Sequence, residues 1–126
     1  MEKENTRFKN GLNALQNIDG TAGQNVMDSL TGDSKDIAKY IVEFAFGDIY
    51  TRNSLNLKQR EMITITALLV QGDTAPQLNV HINGALNVSL SETEVIETFI
   101  QCIPYIGFPK VLNAVSVAHE VFKTRN

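Results

Sequence analysis

Residues 62–70 constrain the fold most, because they are apolar nearly all round. The stretch reads Met-Ile-Thr-Ile-Thr-Ala-Leu-Leu-Val. Its β-branched residues would suit a strand, but its length and the Gly72 that follows favour a helix. A helix that is apolar on every side must be covered on every side. A chain of 126 residues has little material with which to do this alone, so we predict a homo-oligomer.

Helical spacing of apolar residues recurs along the chain and predicts an all-α fold of about six or seven helices. Short breaks of glycine, proline or polar residues separate these segments, and Asp19-Gly20 is the first stop. We expect the whole chain, residues 1–126, to form a single domain. The expected helices cover residues 2–18, 35–50, 58–72, 76–88 and 92–106, with one or two helical turns near 26–30 and a last helix from Pro109.

Local signals fix several of these helices in more detail. Ser91 and Glu94 form a capping box, and Pro76 suits a first helical turn. Gly47 interrupts the helix over 35–50 at a cost of about 1 kcal/mol against Ala, which close helix packing or a kink would explain. That helix carries one apolar stripe with the spacing of a buried face: Ile37, Tyr40, Ile41, Phe44, Ala45 and Ile49.

Composition excludes several classes of function. The net charge of −3 argues against nucleic acid as a partner. No apolar run approaches the roughly 18 residues of a membrane span, and the charged N-terminus does not have the pattern of a secretory signal. The single Cys102, which we expect to be a buried thiol, fits a reducing cytoplasm. We therefore predict a cytoplasmic protein without a membrane partner.

His81 is the first candidate for chemistry, because it shares a helix face with Leu78 and Ala85. A histidine there is either a satisfied core residue or a general acid or base. Glu61, which we place in the first turn of its helix, either complements the helix dipole or orients His81. Glu61 lies far from the loop joining the two helices. We therefore expect His81 to find its partners elsewhere, from Arg52, a tyrosine or another subunit.

Each of the remaining candidate residues has a structural interpretation as well as a functional one. Arg52 and Arg60 either bind anions or form surface salt bridges, and Tyr50 and Tyr105 either donate hydrogen bonds into a pocket or pack at a rim or interface. We treat His119 as structural. The sequence has no metal-ligand cluster and no phosphate-binding glycine loop, so we expect neither a metal nor a cofactor.

Five ordered segments together are more specific than any one of them. They are Phe44-Ala-Phe-Gly-Asp-Ile-Tyr-Thr-Arg52, Arg60-Glu-Met-Ile-Thr-Ile-Thr-Ala-Leu68, Gln77-Leu-Asn-Val-His-Ile-Asn-Gly-Ala85, Glu94-Val-Ile-Glu97 and Tyr105-Ile-Gly-Phe-Pro109. This set closely resembles the carboxymuconolactone decarboxylase family over about residues 37–122, which leaves 1–34 as an N-terminal helical extension. The resemblance implies an AhpD-like helical bundle and a ring-shaped homo-oligomer, commonly a hexamer or trimer.

The family's peroxidase branch carries Cys-x-x-Cys-x-x-x-His with an upstream Glu, and this chain has Thr74 and Gln77 at the two cysteine positions. A dithiol cycle needs both thiols, so the resemblance favours the decarboxylase branch. That branch removes CO2 from 4-carboxymuconolactone in aromatic degradation without a cofactor. A peroxidase working through Cys102 or a partner thiol, and a non-catalytic small-ligand binder, are the alternatives.

The resemblance also implies roles for the candidate residues. His81 would donate a proton or stabilise an oxyanion, and Glu61 would set the protonation state of His81. The substrate carries two carboxylates, which Arg52 and Arg60 would bind. Tyr50 or Tyr105 would donate a hydrogen bond to the lactone carbonyl.

Overall fold

The computed structural model describes residues 2–126, with side chains from Thr6 onward, and the regular elements of this range are all helices. This confirms the predicted all-α class and the predicted number of helices. The elements are α1 (Glu2–Ser29), a 3-10 turn (Gly32–Ser34), α2 (Lys35–Tyr40), a π-helix (Ile41–Ile49), α3 (Leu57–Gln71), α4 (Ala75–Asn87), α5 (Glu92–Ile106) and α6 (Phe108–Arg125). No helix among the described residues is both long and apolar enough to cross a membrane.

The chain divides into two units, Met1–Leu57 and Lys58–Asn126. The single domain expected for residues 1–126 therefore stays a prediction.

In the first unit, α1 and the π-helix pack backbone against backbone. A Cβ atom on Gly11 would lie 1.8 Å from the carbonyl oxygen of Val42, and one on Gly47 would lie 2.8 Å from that of Arg7. Gly47 is therefore needed for close helix packing, the first of the two reasons offered for it. The stop expected at Asp19-Gly20 is present as a break within α1, where Gly20 leaves the helical conformation with φ 53° and ψ −130°.

The single chain does not bury most of the apolar stripe of 35–50, because the π-helix buries another face. Its buried residues are Val42, Glu43 and Phe46. Four members of the predicted stripe are 40–64% exposed: Ile37, Tyr40, Phe44 and Ile49. The segment is apolar on two faces, so periodicity alone did not decide which of them α1 covers. The chain also winds with wider turns here; the Tyr50 N–H, for example, donates to the Ala45 carbonyl five residues back at 3.0 Å.

The second unit has its apolar core between α4, α5 and α6, with one side of α3 added. Predicted core positions of the last two helices, including Val95, Phe99, Val111 and Ala118, lie in it, as does the thiol of Cys102. The expected capping box is present at the start of α5. Pro76 lies in the first turn of α4, as predicted.

Helix α3 is covered on one side and open on the other in the single chain. Ile65 and Leu69 are almost fully buried, whereas Met62, Ile63 and Val70 are 37–56% exposed. The helix is thus apolar beyond what one chain covers, which is the observation that led us to predict a homo-oligomer. The oligomer itself stays a prediction.

Candidate active site

Glu61 lies on the buried side of α3, not at the helix end. Because α3 begins at Leu57, Glu61 belongs to the second turn, and our placement of it in the first turn was wrong. Glu61 is 0% exposed and shares its face with Ile65 and Leu69, four and eight residues further on. That four-residue spacing is the sequence signal that would have placed the carboxylate in the core.

His81 contacts Glu61, against our expectation. His81 Nδ1 lies 3.1 Å from Glu61 Oε1, and the His81 side chain is 19% exposed. Counted along the helices, Glu61 lies about 15 Å before the end of α3 and His81 about 9 Å after the start of α4, a mismatch of about 6 Å. The distance from the helix ends describes the backbone alone. A mismatch of about one helical turn is bridged by two long side chains that meet between the helices.

The 3.1 Å distance between Glu61 Oε1 and His81 Nδ1 allows one hydrogen bond between these two atoms. With Glu61 ionised, the Nδ1–H group donates to the carboxylate, and the tautomer of the neutral ring is fixed with its lone pair at Nε2. When the ring takes up a second proton at Nε2, the carboxylate stabilises the imidazolium. The pair is thus a histidine oriented by a buried acid, an arrangement that can give a proton to a reacting carbon and regain it.

The other two candidates in the second unit are not buried with this pair. Arg60 is half-buried and precedes Glu61 in α3, so its side chain starts about 100° around the helix. Tyr105, in the last turn of α5, is 81% exposed. Their roles at the site stay predictions.

Tyr50 and Arg52 lie in the first unit, directly after the π-helix. The Tyr50 ring stacks on buried Phe46 with a centroid distance of 4.8 Å and an interplanar angle of 10°, as expected for a tyrosine packed at a rim. Arg52 is exposed, and its backbone N–H donates to the carbonyl of Ile49 at 3.1 Å. Their part in substrate binding also stays a prediction.

Comparison with known proteins decides the family. The profile of the carboxymuconolactone decarboxylase family matches residues 35–120. The chain belongs to this family. The resemblance inferred from the ordered segments over 37–122 is therefore confirmed.

Two relatives of this carboxymuconolactone decarboxylase family member have named activities. The chain is 30% identical over 118 residues to 4-carboxymuconolactone decarboxylase of Acinetobacter baylyi, which covers 93% of this chain and 87% of the relative. It is 25% identical over 114 residues to nitrosuccinic acid decarboxylase of Metarhizium robertsii, covering 90% and 79%. A 15.0 kDa protein of Paracoccus denitrificans is 30% identical over 110 residues, covering 86% and 77%.

Thr74 and Gln77, at the positions of the peroxidase dithiol, carry no thiol. Thr74 precedes α4, and its hydroxyl donates to the carbonyl oxygen of Leu68 at 2.6 Å. Gln77 is exposed on the first turn of α4. Cys102 is 8% exposed in α5, where its thiol donates to the Thr98 carbonyl at 3.4 Å. The observed contacts of these residues therefore give no support to a dithiol cycle.

The second unit of this family member has at least two open cavities. A mainly apolar groove of about 690 Å³ runs between α3 and α5 and includes Met62, Ile63 and Cys102 in its walls. A second cavity of about 390 Å³ lies between the connection around Thr74 and helix α6. The walls of both are formed by residues other than Glu61 and His81.

Sequence reasoning missed the charged cluster of the first unit. Arg7 forms a two-pronged contact with Asp48, with Nε to Oδ1 at 3.1 Å and Nη2 to Oδ2 at 2.7 Å. This guanidinium, by hydrogen bonding and by its charge, holds the pKa of the Asp48 carboxyl below its usual value of 3.8. The Glu43 carboxylate is 6% exposed and lies 3.8 Å from Arg7 Nη1. Arg7 precedes Gly11 by one helical turn, so the glycine that marks the packed face of α1 was the available signal.

Proposed function

We propose that the chain is a cofactor-free decarboxylase of a small carboxylic acid, with His81 as proton donor and Glu61 as the group that orients it. The 3.1 Å contact between Glu61 and His81 carries this proposal. Family membership and two relatives named as decarboxylases support the reaction type. A carboxylated lactone such as 4-carboxymuconolactone is the first substrate to test, and nitrosuccinic acid is the second.

The two named substrates share a chemical demand. When the C–CO2 bond breaks, its electron pair stays on carbon and delocalises into an electron-withdrawing group, through the ring alkene into the lactone carbonyl in one case and into the nitro group in the other. A proton must then reach carbon. The protonated ring of His81 gives up its Nε2 proton and becomes neutral, and solvent restores that proton after product leaves.

The other candidates serve binding in this proposal. Arg52 and Arg60 pair with substrate carboxylates, and Tyr50 or Tyr105 donates to the developing oxyanion. Glu61 stabilises the imidazolium before the proton is transferred. The chain acts as a homo-oligomer, a trimer or hexamer, which the exposed apolar side of α3 supports.

The test is a matched pair of histidine variants. His81→Asn is expected to lower the rate of CO2 release by about 10²- to 10⁴-fold, the usual contribution of a general acid or base. His119→Asn, at an exposed position on α6, is expected to match the parent. In D2O the product of 4-carboxymuconolactone should carry one deuterium at the ring carbon next to the lactone carbonyl, and the product of nitrosuccinic acid one deuterium at the carbon that bears the nitro group. Sedimentation of parent and variants reports whether they assemble alike.

Two results would count against the proposal. A folded His81→Asn variant that keeps more than a tenth of the parental rate removes His81 as proton donor. A parent protein that releases CO2 from neither 4-carboxymuconolactone nor nitrosuccinic acid removes both as substrates.

A further inference from the structure

The contact between Arg7 and Asp48 links α1 to the segment that bears Tyr50 and Arg52. Asp48 is the second-last residue of the π-helix, and both of its carboxylate oxygens accept hydrogen bonds from Arg7, at 3.1 and 2.7 Å. Both side chains are partly exposed, Arg7 by 47% and Asp48 by 37%. A two-pronged arginine–carboxylate contact fixes direction as well as distance. The end of the π-helix is therefore oriented by a residue of α1.

The turn after the π-helix is tied to the same helix end. The Tyr50 and Arg52 backbone N–H groups donate to the carbonyls of Ala45 and Ile49. The Thr51 hydroxyl donates to the carbonyl of Gly47 at 2.5 Å. Each residue of the turn 50–52 thus bonds back to the π-helix, so whatever orients the end of that helix also orients the turn.

Helix α1 contributes this orientation from outside the family match, which covers 35–120. Gly11 lets the α1 backbone lie against Val42, and Gly47 lets the backbone carbonyl of Arg7 lie against the π-helix. Arg7 is thereby set one helical turn before the closest approach, with its side chain beside Asp48. An N-terminal segment beyond the family's matched region supports a stretch within it.

We propose that Arg7 is a positioning residue of the decarboxylase, holding the turn 50–52 so that Tyr50 and Arg52 are preset for substrate. This rests on the proposed function, which assigns substrate contacts to those two side chains. Arg7 is suited to positioning and not to binding substrate itself, because its guanidinium already faces the carboxylates of Asp48 and Glu43. A substrate carboxylate would be repelled by both.

The kinetic test compares Arg7→Gln with Lys9→Gln. Lys9 is an exposed residue of the same helix, so its variant removes the same charge without touching Asp48. Arg7→Gln is expected to raise KM about three- to fivefold, within the range of an exposed ion pair, because Arg52 binds the substrate carboxylate. If Tyr50 donates to the oxyanion, kcat falls too, by no more than a similar factor, because Glu61 and His81 are unchanged. Lys9→Gln should match the parent in both constants. Arg7→Lys, which keeps the charge, should have a KM between those of the parent and Arg7→Gln.

Two further arms separate positioning from general destabilisation. Asp48→Asn should raise KM as Arg7→Gln does, and the double variant should raise it no further, because both single changes remove one interaction. Hydrogen exchange should become faster at the amides of Tyr50 and Arg52 in Arg7→Gln and Asp48→Asn, and stay parental in Lys9→Gln.

An unchanged KM in folded Arg7→Gln overturns the proposal, even when exchange at the turn becomes faster. A fall in kcat with parental KM also overturns it. If the parent protein decarboxylates neither 4-carboxymuconolactone nor nitrosuccinic acid, the proposed function is refuted instead. Hydrogen exchange at the amides of Tyr50 and Arg52 then decides by itself whether Arg7 holds the turn.

Discussion

Replacing Glu61 tests whether its contact with His81 is energetically real. Glu61→Gln keeps the volume of a side chain that is 0% exposed but removes its charge. A hydrogen bond with a charged partner contributes about 1.5–3 kcal/mol and a neutral one about 1. We therefore expect Glu61→Gln to lower the free energy of unfolding by about 1–2 kcal/mol. The same contact is expected to appear as a coupling of similar size between Glu61→Gln and His81→Asn.

Glu61→Ala is the harsher change, because it also removes buried carbon. The one buried methylene group that is lost, Cγ, adds about 0.8 kcal/mol, and the cavity left by it and by the carboxylate adds to this, on top of the lost hydrogen bond. The expected total is about 3–5 kcal/mol, which is the usual cost of removing one partner of a buried pair. The difference in unfolding free energy between the Ala and Gln variants therefore separates the cost of lost packing from the cost of the lost charge.

Urea unfolding followed by far-ultraviolet circular dichroism is the suitable assay, because the chain is helical and has no tryptophan. All variants must be measured at one protein concentration, since assembly would make apparent stability depend on it. His119→Asn is the surface control and should lie within about 0.5 kcal/mol of the parent. A coupling below about 0.5 kcal/mol, or equal costs for Gln and Ala, would refute the reasoning.

Two further predictions concern α1 and α5. Gly11→Ala should lower the free energy of unfolding in urea by about 1–3 kcal/mol, because its Cβ would meet the Val42 carbonyl, although Ala is the better helix former. The control is Asn13→Ala, at an exposed position of the same helix, which should not destabilise the protein. A Gly11→Ala variant as stable as the parent would contradict the close packing. The backbone N–H of Ser91 holds the pKa of Glu94 below its usual 4.5. This contribution to stability is present above 4.5 and is lost as pH falls through the lower folded pKa. Glu94→Gln should therefore be less stable than the parent at pH 7, and the difference should shrink well below 4.5; a constant difference would show that the charge is not its source.

The parts of the fold that the sequence predicted correctly depend on signals within a few residues. The capping box of Ser91 and Glu94 is complete within four residues, and Pro76 marks its own helix start. Cys102 shares the four-residue spacing of its buried neighbours. These elements needed no knowledge of what packs against them.

The features that we predicted wrongly are decided by tertiary packing between helices. The segment 35–50 is apolar on two faces, and the contact of Gly11 with Val42 decides which one is buried. The π-helix has no signal in the amino-acid pattern that we used. We did not expect the pairing of Glu61 with His81, because the distance from the helix ends leaves out the reach of two long side chains. Tertiary contact overrides local spacing in each case.

The apolar stretch of α3 and the polar pair are parts of one arrangement. Thr64 and Thr66 satisfy their hydroxyls within the helix by donating to the carbonyls of Arg60 and Met62, both at 2.8 Å. An ionised Glu61 cannot do the same, because a carboxylate only accepts and the N–H groups of the helix interior are already bonded. Burial among apolar side chains makes a missing donor costly and strengthens the bond that is formed. The apolar surroundings of α3 that demand cover on all sides therefore also strengthen the contact between Glu61 and His81.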